Sequence, residues 1–136
     1  VVNVLGAGEF LAQGILDAYP GAPLGIVAAR RVEDGGVSVE IYYERLPKRW
    51  EGPAIIADPM LATGTTVEAV ARLLLDRGAS PLVIASVIAA PEGLGRLSRL
   101  GDITVYTLAV DKGLNSNYFI VPGLGDAGDR GLGVTP

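Results

Sequence analysis

Apolar residues recur along this chain with two periods. Val1–Leu5, Leu24–Ala29, Ala54–Ala57, Leu82–Ala89 and Ile103–Val110 are short runs, apolar nearly throughout, as in strands buried on both faces. Between them the spacing changes. Phe10, Leu11, Ile15, Leu16 and Tyr19 recur at helical intervals until Pro20-Gly21 stops them. Val67, Val70, Ala71, Leu74 and Leu75 form one face of a second helix. A Thr65-x-x-Glu68 capping box is expected to open that helix and Gly78 to close it. Pro91 and Glu92 suit the first turn of a third. After a turn at Asp34-Gly35-Gly36, Val37, Val39, Ile41 and Tyr43 alternate as in a half-buried strand. Arg30 and Arg31 then lie on the first arm of a hairpin. Leu46–Gly52 reads as a polar connection carrying Lys48, Arg49 and Trp50, and everything beyond Asp111 as loop with a short strand at Tyr118–Val121.

Strands without a polar face that alternate with helices predict an α/β fold, a parallel sheet flanked by helices on both faces. The 136 residues suffice for one core, so residues 1–136 are expected to form a single domain. The chain opens on Val1, already inside a core strand, and a preceding N-terminal segment is therefore expected. In such a sheet, ligands lie beyond the C-terminal strand ends. Three loops fall there: Gly6–Gly8, Asp58–Thr66 and the segment from Asp111.

Composition narrows the chemistry. The chain has no Cys and no His, so thiolate and imidazole metal sites, disulfides and His-based acid–base steps are excluded. The net charge of −4 argues against a general nucleic-acid surface but not against a small anion met by local Arg or Lys. No apolar run is long enough to span a membrane, and no signal peptide is expected ahead of the first strand. The expectation is a cytoplasmic protein with small-molecule partners and neither nucleic acid nor membrane among them.

The loop "IIADPMLATGTT", residues 55–66, carries the most specific chemistry. Asp58 ends a strand on the ligand side, where a carboxylate can accept hydrogen bonds from two adjacent sugar hydroxyls. Ala62–Thr66 leads into a helix N-terminus, whose unpaired N–H groups and positive dipole favour a phosphate. Thr63, Thr65 and Thr66 add hydroxyls, and Gly64 can adopt a positive φ. An ordinary turn would explain the same residues, and the G-K-[ST] of an ATP-binding loop is absent. The front of the chain offers a rival. "VVNVLGAGEFLA" is strand, G-x-G, helix, a partial dinucleotide fingerprint with Leu11 at the third glycine position and Arg30-Arg31 where a ribose acid belongs, so it would suit an NADP-type ligand. At the far end, "NYFIVPGLGDAGDRGLG" could present backbone donors and acceptors to a planar heterocycle.

Taken together, "DPMLATGTT", "AAPEGLGRL" and "VDKGLNSNYFIVPGLGDAGDRGLG" closely resemble the uracil phosphoribosyltransferases, from about Val2 onward. In place of the two adjacent acids common in phosphoribosyltransferases, Pro59 follows Asp58, as in the uracil enzymes. The resemblance implies a type I phosphoribosyltransferase fold with a hairpin arm and a C-terminal hood over the base. It implies transfer of phosphoribosyl from 5-phosphoribosyl diphosphate (PRPP) to uracil, giving UMP and diphosphate, with Mg²⁺ bound with the PRPP diphosphate, in a homo-oligomer. It makes Asp58, Pro59, Met60, Leu61, Ala62, Thr63, Gly64, Thr65 and Thr66 the PRPP loop and Arg31 a diphosphate contact. Ile120, Gly125, Asp126 and Ala127 become uracil contacts, Asp126 also facing PRPP, with Arg31 and Asp126 as catalytic candidates. The family's first ligand loop reads Leu-Arg-Ala-Gly; here it is Leu5-Gly6-Ala7-Gly8, which removes a cation. A regulator of the same fold that binds PRPP or a nucleotide without turnover fits that departure.

Overall fold

The computed structural model describes residues 1–33 and 37–134. The predicted turn at Asp34-Gly35-Gly36 lies outside them. The elements run β1 (Val2–Val4), α1 (Gly8–Ala18), β2 (Gly25–Glu33), β3 (Val37–Arg45), β4 (Ala54–Ala57), β5 (Met60–Leu61), α2 (Thr65–Asp76), β6 (Leu82–Ala89), α3 (Pro91–Leu97), a single 3₁₀ turn (Ser98–Leu100), β7 (Ile103–Val110), β8 (Gly113–Leu114), β9 (Ile120–Val121) and α4 (Ala127–Leu132).

The main sheet has the order β3-β2-β1-β4-β6, with β5 and β7 both paired to β6. Every pairing in it is parallel except β2–β3, the antiparallel hairpin arm. β8 and β9 form a separate antiparallel pair. On one face, Val2, Ile56 and Ile84 lie in register and pack with Val67, Val70, Leu74 and Leu97 from α2 and α3, all fully buried. That is the face the second helix was expected to cover, and burying such side chains is the main favourable term in folding. On the other face α1 lies over β1 and β4. There a Cβ on Gly8 would come within 2.6 Å of Asn3 Oδ1 and 2.7 Å of the Ala57 carbonyl, so only glycine lets the helix approach this closely.

Three expectations are corrected. Helices flank the sheet on both faces as expected, but β7 is not buried on both: Thr104, Tyr106 and Leu108 point away from the core, and Leu108 is 84% exposed. An all-apolar run therefore does not guarantee burial on both sides when its strand lies at a sheet edge. The capping box does not form. Gly64 is the N-cap of α2, Thr65 is already helical, and the Glu68 carboxylate turns outward to Arg72 and Arg96. Finally, the segment after Asp111 holds more than the one short strand expected at Tyr118–Val121, which forms at Ile120–Val121. It contains β8, β9 and α4, the last capped by Asp126, whose Oδ1 accepts from the Asp129 amide at 2.8 Å.

Candidate active site

Asp58 follows β4, and its position is fixed from both sides. Its amide donates to the Ala85 carbonyl of β6, and its Oδ1 accepts from the Met60 amide at 3.3 Å. The residue is partly exposed, yet its carboxyl lies in surroundings poor in water. That burial pushes its pKa up to about 6, against the smaller lowering effect of the Met60 hydrogen bond. Pro59 is buried, and its carbonyl accepts from the Val87 and Ile88 amides and from the Ser86 hydroxyl. It therefore anchors the loop to β6 and faces the side lined by Phe10, Leu11 and Val87, not the cavity that Asp58 lines.

Beyond Pro59 the loop encloses a small cavity of about 40 Å³, lined by Asp58, Met60, Leu61, Ala62, Thr63, Gly64, Thr65, Thr66 and Arg31. Gly64 has φ +77, a conformation that favours glycine, and opens α2 toward this cavity. The Thr63 and Thr65 hydroxyls lie 3.0 Å apart. The loop is braced from behind by α3. Arg96 Nε donates to the Thr63 carbonyl at 3.0 Å while its Nη1 holds Glu68 at 2.9 Å. The Arg96 hydrogen bond is the largest influence lowering the Glu68 pKa. A Cβ on Gly93 would lie 2.6 Å from the Ala62 carbonyl, so α3 and the loop touch backbone to backbone. Neither Arg96 nor Gly93 stands out in the sequence, although both belong to the "PEGLGRL" segment that carries the resemblance.

A larger cavity of about 470 Å³ adjoins this one, and the two share Arg31, Met60 and Ala62 as lining. Ile120, Gly125, Asp126 and Ala127 line it, together with Gly6 and with Tyr118 and Phe119 from the segment joining β8 to β9. Ile120 is buried with Ile88 and Ala90. Asp111 Oδ2 accepts from the Gly123 amide at 2.7 Å and closes the loop that follows β9. Arg30 and Arg31 take different roles on the arm. Arg30 pairs with Glu40 at 2.8 Å and lies over Tyr42, whereas Arg31 lies over Tyr118 and lines both cavities.

The predicted site residues are therefore brought together, except that Pro59 faces elsewhere. Over residues 1–133 the chain matches the family "Uracil phosphoribosyltransferase". The chain belongs to the uracil phosphoribosyltransferase family. Among curated members, the uracil phosphoribosyltransferase of Aeropyrum pernix is 54% identical over 138 residues, covering 100% of this chain and 64% of its own length. That of Pyrobaculum arsenaticum is 49% identical, covering 96% of this chain and 64% of its own. The chain thus spans slightly less than two thirds of these members of the family. Of solved structures, the AQ2163 protein from Aquifex aeolicus superposes with a TM-score of 0.86 at 38% identity, over 95% of this chain and 62% of that one. A purine phosphoribosyltransferase from Pyrococcus horikoshii is 18% identical with a TM-score of 0.66, over 82% of this chain and 70% of its own, a likeness of fold. The family membership replaces the dinucleotide-binding reading of Gly6–Gly8.

Proposed function

We propose that this chain transfers the phosphoribosyl group of PRPP to uracil, giving UMP and diphosphate, as part of pyrimidine salvage in the cytoplasm. The observation that carries this reading is the pair of adjoining cavities. One is a small hydroxyl- and amide-lined loop cavity with Asp58 at its edge. The other is larger and lined by the Ile120 and Gly125–Ala127 segments, and Arg31 lies between them.

In this reading the 5-phosphate lies in the loop of Thr63–Thr66 at the start of α2, where amide N–H groups and hydroxyls are available. Asp58 holds the ribose hydroxyls, and the pyrimidine lies against Ile120 with its polar edge toward the backbone of Gly125, Asp126 and Ala127. The bond from the ribose anomeric carbon to diphosphate breaks as the bond to a uracil nitrogen forms. Positive charge builds on the sugar and negative charge on the leaving group, so catalysis is mainly positioning and electrostatics. Arg31 meets the leaving group. Asp126 uses Oδ1 as a helix cap, which fixes its carboxylate beside the base pocket and leaves Oδ2 as the acceptor for a uracil N–H. Mg²⁺ fits this donor chemistry as a companion of the diphosphate. Asp58 in the smaller cavity and Asp126 and Asp129 in the larger one supply carboxylates, the one sulfur in the linings is the Met60 thioether, and a hard cation would take oxygens in preference to it. Beside Asp58 or Asp126, such an ion would add Lewis-acid stabilisation of the departing charge to that of Arg31.

One observation favours a second reading, a PRPP-binding regulator without turnover. The loop that carries Arg elsewhere in the family holds Gly6, whose amide is engaged by the acid Glu9. Following UMP formation from uracil, PRPP and Mg²⁺, with the Aeropyrum pernix relative in parallel, tests both. Turnover by this chain supports the enzyme. PRPP binding without turnover supports the regulator, and absence of PRPP binding overturns both.

A further inference from the structure

We propose that Tyr118 is a positioning residue for Arg31. Its ring holds the guanidinium between the two cavities with the N–H edge already presented to a diphosphate. The proposal rests on the reading of these cavities as a PRPP and uracil site.

Among the described residues Tyr118 is the only non-glycine residue with a positive φ, at +62. That region penalises a bulky L side chain, and such residues persist only where their surroundings over-determine them. The surroundings here are explicit. Asn115 Oδ1 accepts from the Asn117 amide at 2.9 Å and the Phe119 amide at 3.0 Å. The Asn115 amide donates to the Phe119 carbonyl, and the Tyr118 amide to the Asn115 carbonyl. These four bonds fix the tip joining β8 to β9. None of them uses the Tyr118 side chain, so all would form equally well around glycine. The residue is 54% exposed, so burial does not account for it either. What the ring does meet is Arg31, whose guanidinium carbon lies 6.0 Å from the ring centre.

An aromatic ring engages the flat face of a guanidinium and leaves its in-plane donors available. Arg31 can therefore stack on Tyr118 and still offer a fork to an anion. A long Arg side chain on an exposed strand otherwise loses rotamer freedom when it binds. Stacking before ligand arrives removes part of that cost. The contact also joins two sheets that are not hydrogen-bonded to each other, the β2–β3 arm and the β8–β9 pair. It thereby ties the cation to the segment lining the larger cavity. With Gly6 supplying no side chain, Arg31 is the cation that lines both cavities among the described residues.

The test is calorimetric titration of Mg²⁺-diphosphate, and separately of PRPP with Mg²⁺, into the wild-type chain and into Tyr118→Phe, Tyr118→Asn and Tyr118→Gly. Asn and Gly both tolerate the left-handed backbone, so at least one folded variant lacking the ring is assured. Phe keeps the ring and should bind like the wild type. Asn and Gly should bind both ligands about two- to fivefold more weakly, the size of an exposed cation–π contact. Tyr118→Gly should meanwhile melt no lower than the wild type, a split that a merely structural role would not give. In an Arg31→Ala background the Tyr118→Gly effect should vanish. Wild-type affinity in both the Asn and Gly variants, or an undiminished loss in the Arg31→Ala background, overturns the positioning role alone. A wild-type chain that binds neither ligand overturns it together with the site reading.

Discussion

The Gly6 amide donates to both carboxylate oxygens of Glu9, each at 3.1 Å. An acid thus occupies the backbone donor of the first ligand loop, at the rim of the larger cavity that Gly6 lines. In the proposed reading, an incoming diphosphate would meet a like charge there, with no Arg at Gly6 to offset it. Glu9→Gln is expected to tighten Mg²⁺-diphosphate binding about two- to fivefold, with a loss of a few tenths of a kcal/mol in helix stability, since Glu9 lies in the first turn of α1. Calorimetry decides it, and unchanged affinity would mean that the ligand never approaches this amide. The family's own solution, Gly6→Arg, faces an obstacle that the sequence conceals. Gly6 has φ +117, and although a Cβ there would meet nothing within 4 Å, an Arg strains the backbone. A lower melting temperature is the expected outcome of that substitution.

Asp58 is expected to make stability and PRPP binding respond to pH in opposite directions. Burial raises its pKa from an ordinary 3.8 to about 6, so the folded state keeps a proton that the unfolded state has released. This contribution is fully present below about pH 4 and is lost as pH rises through about 6, about 3 kcal/mol in total. Asp58→Asn should flatten the decline, as denaturant unfolding between pH 4 and 7 would reveal. PRPP affinity should instead rise through the same window, because ribose hydroxyls prefer the carboxylate. The titration of PRPP itself is common to both proteins. An identical pH dependence of affinity in the Asn variant would therefore remove Asp58 from the ribose.

Gly64→Ala tests the loop. The positive φ disfavours any side chain, and the new Cβ would lie 3.0 Å from the Gly93 carbonyl and 3.1 Å from its Cα. The sequence suggests mainly a binding defect. The backbone contact adds a stability loss of about 1–3 kcal/mol. Thermal unfolding and PRPP titration should both fall, and a variant with unaltered melting would show that α3 yields at no cost.

Asn3→Val should stabilise the chain. Asn3 is 6% exposed in β1, and its Oδ1 has no hydrogen-bond partner among the described residues. Replacing an unsatisfied buried carbonyl by a β-branched apolar group is expected to gain about 1 kcal/mol by denaturant unfolding. A loss instead would indicate a bound water that satisfies the amide.

The order of the longer strands and of α1, α2 and α3, the buried face of α2 and the position of the Asp58–Thr66 loop were legible in the sequence, whereas β5, β8 and α4 were not. Each legible feature depends on local periodicity or on a turn residue within a few positions, as with Val67, Val70 and Leu74 or with Gly64. The motifs likewise pointed to Arg31, Ile120 and Asp126, which line one cavity in the fold. What tertiary structure decided is how distant segments meet. The Thr65–Glu68 capping box lost because Arg96, 28 residues beyond Glu68, offers its carboxylate a charged partner. The outward face of β7 depends on which elements cover β6 and β7, and residues 103–110 carry no record of that. Tyr118 is the clearest case. Its left-handed backbone follows from bonds made by Asn115, and the guanidinium over its ring belongs to a strand residue 87 positions earlier, brought there by the sheet order and by nothing near it in the chain.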